Sequence, residues 1–171
     1  MSETKSGQAG MKESYLNMIA LVERLHRQFL ELVRTELDSL GVQDINNVQA
    51  LILFNIGPTE LTVGELTLRG CYLGSNVSYN VKKMVENGYL IQERSAHDRR
   101  SIRVRLSPKG LELCGKLDAM HDRHVASLTQ TPVDLNALTD TSGTLRRLDR
   151  FWTQIVDRGV RIAPRVANSA A

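Results

Sequence analysis

Cysteine, proline and aromatic residues are scarce in this chain: two, four and 5% respectively in 171 residues. Cys71 and Cys114 cannot build the disulfide framework that holds small extracellular domains together, so a reducing compartment is expected. No apolar run approaches the roughly 20 residues of a membrane span. The polar opening from Met1 to Gly10 also lacks the apolar segment of a secretory signal. The expectation is a cytoplasmic protein with no membrane partner. Missing too are a glycine-rich phosphate loop, a nucleophile elbow, and any Ser/His/Asp arrangement beyond what chance supplies. Neither an enzyme nor a bound cofactor is expected. There are no internal repeats and no low-complexity tracts. What remains, with 42% hydrophobic residues, suffices for one domain with a real core.

Charge is unevenly placed. The net charge is +3, yet from Arg69 through Lys109 nine lysines and arginines face three acids, giving that stretch +6 and the remainder −3. A clustered basic stretch is the footprint of a polyanion partner. By itself it would be read as a solvated face, so the architecture around it decides.

Helical periodicity dominates. Met18, Val22, Leu25, Phe29 and Leu32 are spaced four, three, four and three, which predicts a long helix from about Lys12 to Leu40, ended by Gly41. Asp44 is placed to cap a second helix, with Val48, Leu51, Ile52 and Ile56 as its buried side and Gly57-Pro58 as its stop. Ser107 and Pro108 start another helix through Leu113, Leu117, Met120 and Val125. Thr131 to Asp134 repeats that start signal for a last helix carrying Leu135, Leu138, Leu145, Leu148, Trp152 and Ile155. Gly143 marks a bend there. The near-heptad seams of the two outer helices suit helix-on-helix pairing, within the chain or with a second copy.

Between these lies the informative stretch. Thr62-Val63-Gly64-Glu65 is a capping box that opens a helix. From Ser75 to Asn87, Val77, Val81 and Met84 form one buried face and leave Asn76, Ser78, Tyr79, Asn80, Lys82 and Lys83 outward. From Leu90 to Leu106 two extended runs rich in Ile, Val and Arg flank His97-Asp98-Arg99-Arg100, a turn-prone cationic tip. The order is a helix-turn-helix followed by a wing, which points to duplex DNA.

In such a motif the second helix enters the major groove by its N-terminal end. Ser75, Asn76, Ser78 and Tyr79 are then the base readers, and Lys82 and Lys83 reach phosphate. On the wing, Arg100 is assigned to the minor groove, with Asp98 bonded to it as its orienter. Arg94, Arg99, Arg103 and Arg105 line the ribbon toward phosphates.

The stretch from Leu61 to Gly110 resembles the winged-helix core of the MarR family of bacterial transcription regulators. The resemblance is carried by Leu-Thr-Val-Gly-Glu-Leu at the first helix and Ser-Asn-Val-Ser at the second. Asp98 and Arg100 match the Asp-x-Arg wing tip, and Leu106 to Gly110 the wing exit. It implies a mainly α fold with a small β wing (α+β), in which a winged helix-turn-helix core is flanked by N- and C-terminal dimerisation helices. The expected layout is a disordered N-terminus over 1–11, dimerisation helices over 12–43 and 107–160, a DNA-binding domain over 44–106, and a flexible tail over 161–171. The resemblance further implies a homodimer on a pseudo-palindromic operator, acting as a repressor or with a dual role, and a small-molecule effector that releases it. The sequence is also similar to a branch of the family associated with cell-envelope and stress genes.

Effector-pocket candidates are Phe29, Val33, Leu51, Phe54 and Leu68, although ordinary core is the plainer reading of each one taken singly. Two other functional readings stand beside this one: a thiol-based redox sensor acting through Cys71, and a winged-helix adaptor that binds protein rather than DNA. His121 and His124, three apart beside Asp118 and Asp122, allow a metal site to be drawn, but at i, i+3 rather than the usual helical spacing. Solvated histidines on a polar face are the plainer reading, and no metal is assigned.

Overall fold

The structure, a computed structural model, describes residues 2–70, 74–94 and 102–162, with side chains described over 7–70, 76–94 and 102–158. In chain order its elements are α1 (Ser2–Ser39), α2 (Asn47–Ile56), β1 (Leu61–Thr62), α3 (Val63–Gly70), α4 (Gly74–Glu86), β2 (Leu90–Arg94), β3 (Ile102–Leu106), α5 (Pro108–Leu128) and α6 (Leu135–Ile162). Two compact units result, Met1–His121 and Asp122–Ala171. Among the described residues no helix is long and apolar enough to cross a membrane.

Within the first unit, α1 begins at Ser2, so most of the stretch expected to be disordered continues the helix. Its second half turns Val33 and Leu37 into the core, while Leu16, Leu21, Leu25 and Leu32 stay exposed. Asn46, rather than Asp44, caps α2. Its side chain accepts from Gln49 N–H at 2.8 Å, and Gln49 Oε1 accepts from Asn46 N–H at 3.1 Å, a reciprocal box like the Ser/Thr-Glu form. Burial in α2 also departs from expectation: Ala50, Ile52, Leu53 and Ile56 are covered, whereas Val48 is exposed. A helix that is apolar on most sides carries little periodic signal.

The sheet has three antiparallel strands in the order β1-β3-β2. In the ribbon Leu90 lies opposite Leu106 and Arg94 opposite Ile102, and β1 adds Leu61 opposite Val104. The two-residue β1 was not foreseen, because it is too short to show alternation. One face of the ribbon is sealed by Leu90, Val104 and Leu106 onto the cluster formed by Ile52, Leu53, Ile56, Leu66, Val77, Val81, Met84, Leu113 and Leu117. Each fully buried aliphatic side chain there contributes about 1.5–3 kcal/mol relative to exposure.

Ser107 opens α5 as expected: its Oγ accepts from Gly110 N–H at 3.0 Å and donates to the Gly88 carbonyl at 2.6 Å. In the second unit Asp134 Oδ1 caps α6 by accepting from Ala137 N–H at 2.8 Å. This helix runs unbroken through Gly143, where a bend was expected. Leu135, Leu138, Leu145, Trp152 and Ile155 all remain exposed along it.

Candidate nucleic-acid interface

The first helix of the motif is fixed by its cap. Glu65 Oε2 accepts from Thr62 N–H at 2.7 Å and from Thr62 Oγ1 at 2.8 Å, while Thr62 Oγ1 accepts from Glu65 N–H at 3.1 Å. The bonds from the Thr62 backbone and hydroxyl hold the Glu65 carboxyl below the usual carboxylate value. Leu66 then plugs α3 into the core with no exposed surface.

The second helix, α4, is anchored by Val77, Val81 and Met84, all buried, and presents Asn76, Ser78, Tyr79 and Lys82 outward, with Tyr79 62% exposed. Ser75 lies in its first turn. Its end is a tight C-terminal cap: Tyr89 N–H donates to the Met84 carbonyl at 2.8 Å and Gly88 N–H to Val85 at 3.0 Å, with Gly88 at φ 77°. That left-handed position suits glycine. It turns the chain at once into β2, so α4 and the ribbon share one rigid corner.

Lys82 and Lys83 converge on a single acid. Lys83 Nζ is 2.9 Å and Lys82 Nζ 3.9 Å from Glu86. The Lys83 bond holds the Glu86 carboxyl below its ordinary value, and Glu86 in turn raises Lys83. These pairs are exposed, so a phosphate can replace the carboxylate at small cost.

On the ribbon, Arg94 is exposed at the last residue of β2. Arg103 bonds Glu60 at 3.2 Å and Arg105 bonds Glu93 at 3.1 Å, so part of the cation here is neutralised locally. Asp98, Arg99 and Arg100 lie outside the described residues.

Behind the corner, Asp44 does what the sequence did not suggest. Its Oδ1 accepts from Tyr89 Oη at 2.6 Å and its Oδ2 from Lys109 Nζ at 2.5 Å, and its carbonyl accepts from Asn87 Nδ2. Lys109 also donates to the Asn87 carbonyl at 2.9 Å and lies 4.1 Å from the Tyr89 ring centre. Burial pulls the Asp44 carboxyl upward, but the bonds from Lys109 and Tyr89 and the Lys109 charge outweigh it and leave it below the usual value. Burial, then the bond to Asp44, pushes the Tyr89 phenol up.

The five pocket candidates separate. Val33 is core at 1% exposure and Leu68 is 80% exposed. Phe29 and Leu51 pack against the core's edge. Only Phe54 lines the open, largely apolar cavity of about 290 Å³ that Gly57, Pro58, Leu106, Leu111, Cys114, Gly115 and Asp118 complete. His121 is not on a solvated face: it stacks on Phe29 at 6.0 Å and meets Phe54 edge-on at 4.9 Å. Among the described residues no three His, Cys, Asp or Glu side chains cluster as metal ligands. Burial pushes the Cys114 thiol up to about 11, away from reactivity. Cys71 lies outside the described residues.

Residues 43–101 match the sequence model of the MarR family. The exopolysaccharide II synthesis transcriptional activator ExpG of Rhizobium meliloti is 39% identical over 147 residues, which span 86% of this chain and 76% of that protein. The fold is shared with Streptococcus pneumoniae FabT, solved in complex with DNA, at a TM-score of 0.66 and 17% identity over 82% of this chain and 99% of that one. It is shared also with Staphylococcus aureus MarR, solved with salicylate and kanamycin, at 0.65 and 22% over 84% and 93%.

Proposed function

Because this chain belongs to the MarR family and is a transcription regulator of the MarR type, we propose that it binds a pseudo-palindromic DNA operator as a homodimer and is released by a small-molecule effector. One observation carries the reading: a core-anchored helix turns Asn76, Ser78, Tyr79 and Lys82 to solvent and passes through a rigid corner into an arginine-bearing ribbon. Asn and Ser side chains supply the donors and acceptors that base edges require, and the lysines supply phosphate contacts that position the helix. Ser75 joins the readers at the first turn. Arg100, oriented by Asp98, enters the minor groove, and Arg94, Arg99 and Arg103 follow the backbone.

Exposed leucines on α1 and the exposed apolar seam of α6 support a two-fold dimer built from the outer helices; the place of action proposed for such a regulator is the cytoplasm. Covering a promoter excludes polymerase and so represses. The relative named as an activator supports an activating role at operators placed elsewhere. The cavity beside Phe54 suits a small, mostly apolar effector, since its wall joins α2, β3 and α5.

Titration of duplex DNA at several salt concentrations tests this. Arg100→Ala should weaken binding to the selected duplex severely and reduce its preference over a random duplex. Lys83→Ala should weaken all duplexes alike and lower the salt slope by about one unit. Equal loss of discrimination in both variants, or no salt-dependent binding by the wild type, refutes the reading and favours a protein-binding adaptor.

A further inference from the structure

The side-chain amide of Gln49 is used at both ends. Its Oε1 accepts from Asn46 N–H at 3.1 Å, so the cap of α2 fixes the direction in which the side chain points. Its Nε2 donates to Asn80 Oδ1 at 3.1 Å, and Asn80 Nδ2 donates to the backbone carbonyl of Asn76, one turn earlier in α4, at 2.9 Å. Gln49 is only 7% exposed, although glutamine is mostly a surface residue. Asn80 points back toward α2 and is half-buried, although the helical pattern grouped it with the outward set. On the other side of the same turn, Asn47 Nδ2 donates to the Leu30 carbonyl of α1 at 2.9 Å.

We propose that Gln49 and Asn80 are positioning residues for sequence reading, forming a bridge that sets the rotation of α4 about its own axis. This rests on the DNA-binding reading above. Val77, Val81 and Met84 hold α4 against the core, but apolar contact is non-directional and leaves a helix free to roll slightly. A hydrogen bond is directional and resists that roll. An outward side-chain tip about 6 Å from the helix axis moves roughly 1 Å for a roll of about 10°. Such a shift breaks a paired contact between Asn76 and a base edge. Long, flexible Lys82 and Lys83 follow the phosphates regardless. The bridge therefore governs discrimination between sequences and leaves general affinity alone.

The probes are a duplex selected by the wild-type protein from a random pool and a scrambled duplex of equal composition, titrated at several salt concentrations. Asn80→Ala and Gln49→Ala should each reduce the affinity ratio roughly tenfold. The double variant should lose no more than the worse single one, because both remove one bridge. Affinity for the scrambled duplex and the salt slope should hold. Asn46→Ala weakens the cap but retains the backbone N–H that aims Gln49, so it should lower the melting temperature and keep the ratio. Loss of discrimination from Asn80→Ala alone, or additive losses, would show that Asn80 touches DNA itself and would overturn the bridge. Equal weakening on both duplexes overturns it as well, by showing a purely structural role. Absence of duplex binding by the wild type sinks the DNA-binding reading and the bridge with it.

Discussion

Gly110 shows how narrowly one position is constrained. A Cβ there would stand 2.3 Å from the Tyr89 carbonyl oxygen, and that carbonyl accepts from Ser107 N–H at 3.0 Å, so neither side can retreat. Gly110→Ala should cost about 3 kcal/mol, read as a fall of roughly 6–12 °C in melting temperature. A change of under about 2 °C would mean that α5 can shift freely against the corner. Asp44 is constrained by charge. Its folded pKa lies below the ordinary aspartate value of about 3.9, so the unfolded chain takes up the proton first as the solution is acidified. The Asp44 contribution is therefore present above that value and is lost as pH falls through the folded one. With Asp44 and Lys109 both half-exposed, screening limits it to about 1 kcal/mol. Asp44→Asn should lower the melting temperature by roughly 2–4 °C near neutrality, and the two unfolding curves should converge in strong acid. A gap that persists unchanged into acid would remove the ion pair as its cause.

At the level of elements, the helix-turn-helix depends on long-range anchoring more than on helix propensity, since α3 has 8 residues and α4 has 13, lengths that are marginal alone in water. Met84, with no exposed surface, ties α4 to the core and ends it at the corner. Met84→Ala should cost about 2–5 kcal/mol, measured as a lower urea midpoint with unchanged slope, and should weaken every duplex by loosening the helix as a body. What was legible in the sequence follows the range of each interaction. The Thr62–Glu65 box, the buried stripe of α4, the ribbon and the Ser107 start are set within a few residues, and all were readable from spacing. Asp44 misled because aspartate is a good cap in general, whereas its actual partners, Tyr89 and Lys109, are far along the chain. Asn80 misled for the same reason: periodicity places it outward, and only Gln49 on another helix explains its turn inward. An N-x-x-Q spacing at Asn46–Gln49 did carry a signal for the true α2 cap. For β1 no local signal existed, since its strand character comes from pairing with Arg103 and Val104.

For the molecule as a whole, the proposed operator geometry requires a second copy, and α6 supplies a test that leaves the fold of one chain alone. Leu138, Leu145, Leu148, Trp152 and Ile155 recur at steps of seven, three, four and three residues, the rhythm of a helix that packs on another helix. Ile155 is 52% exposed, so a carboxylate in its place costs a single chain little. In a two-fold interface the same change appears twice, and burying those charges unpaired costs several kcal/mol per ion. Ile155→Glu should therefore shift sedimentation equilibrium toward monomer, with the circular dichroism of a folded chain. Leu68→Glu, equally apolar to acidic but on α3 and 80% exposed, should stay dimeric. The DNA consequence separates the two further. Two linked recognition helices bind with an effective concentration that a lone helix lacks, so Ile155→Glu should lose far more affinity for a two-half-site duplex than for a single half-site. A dimer that survives Ile155→Glu intact would place the interface elsewhere and leave the α6 seam without the role assigned to it.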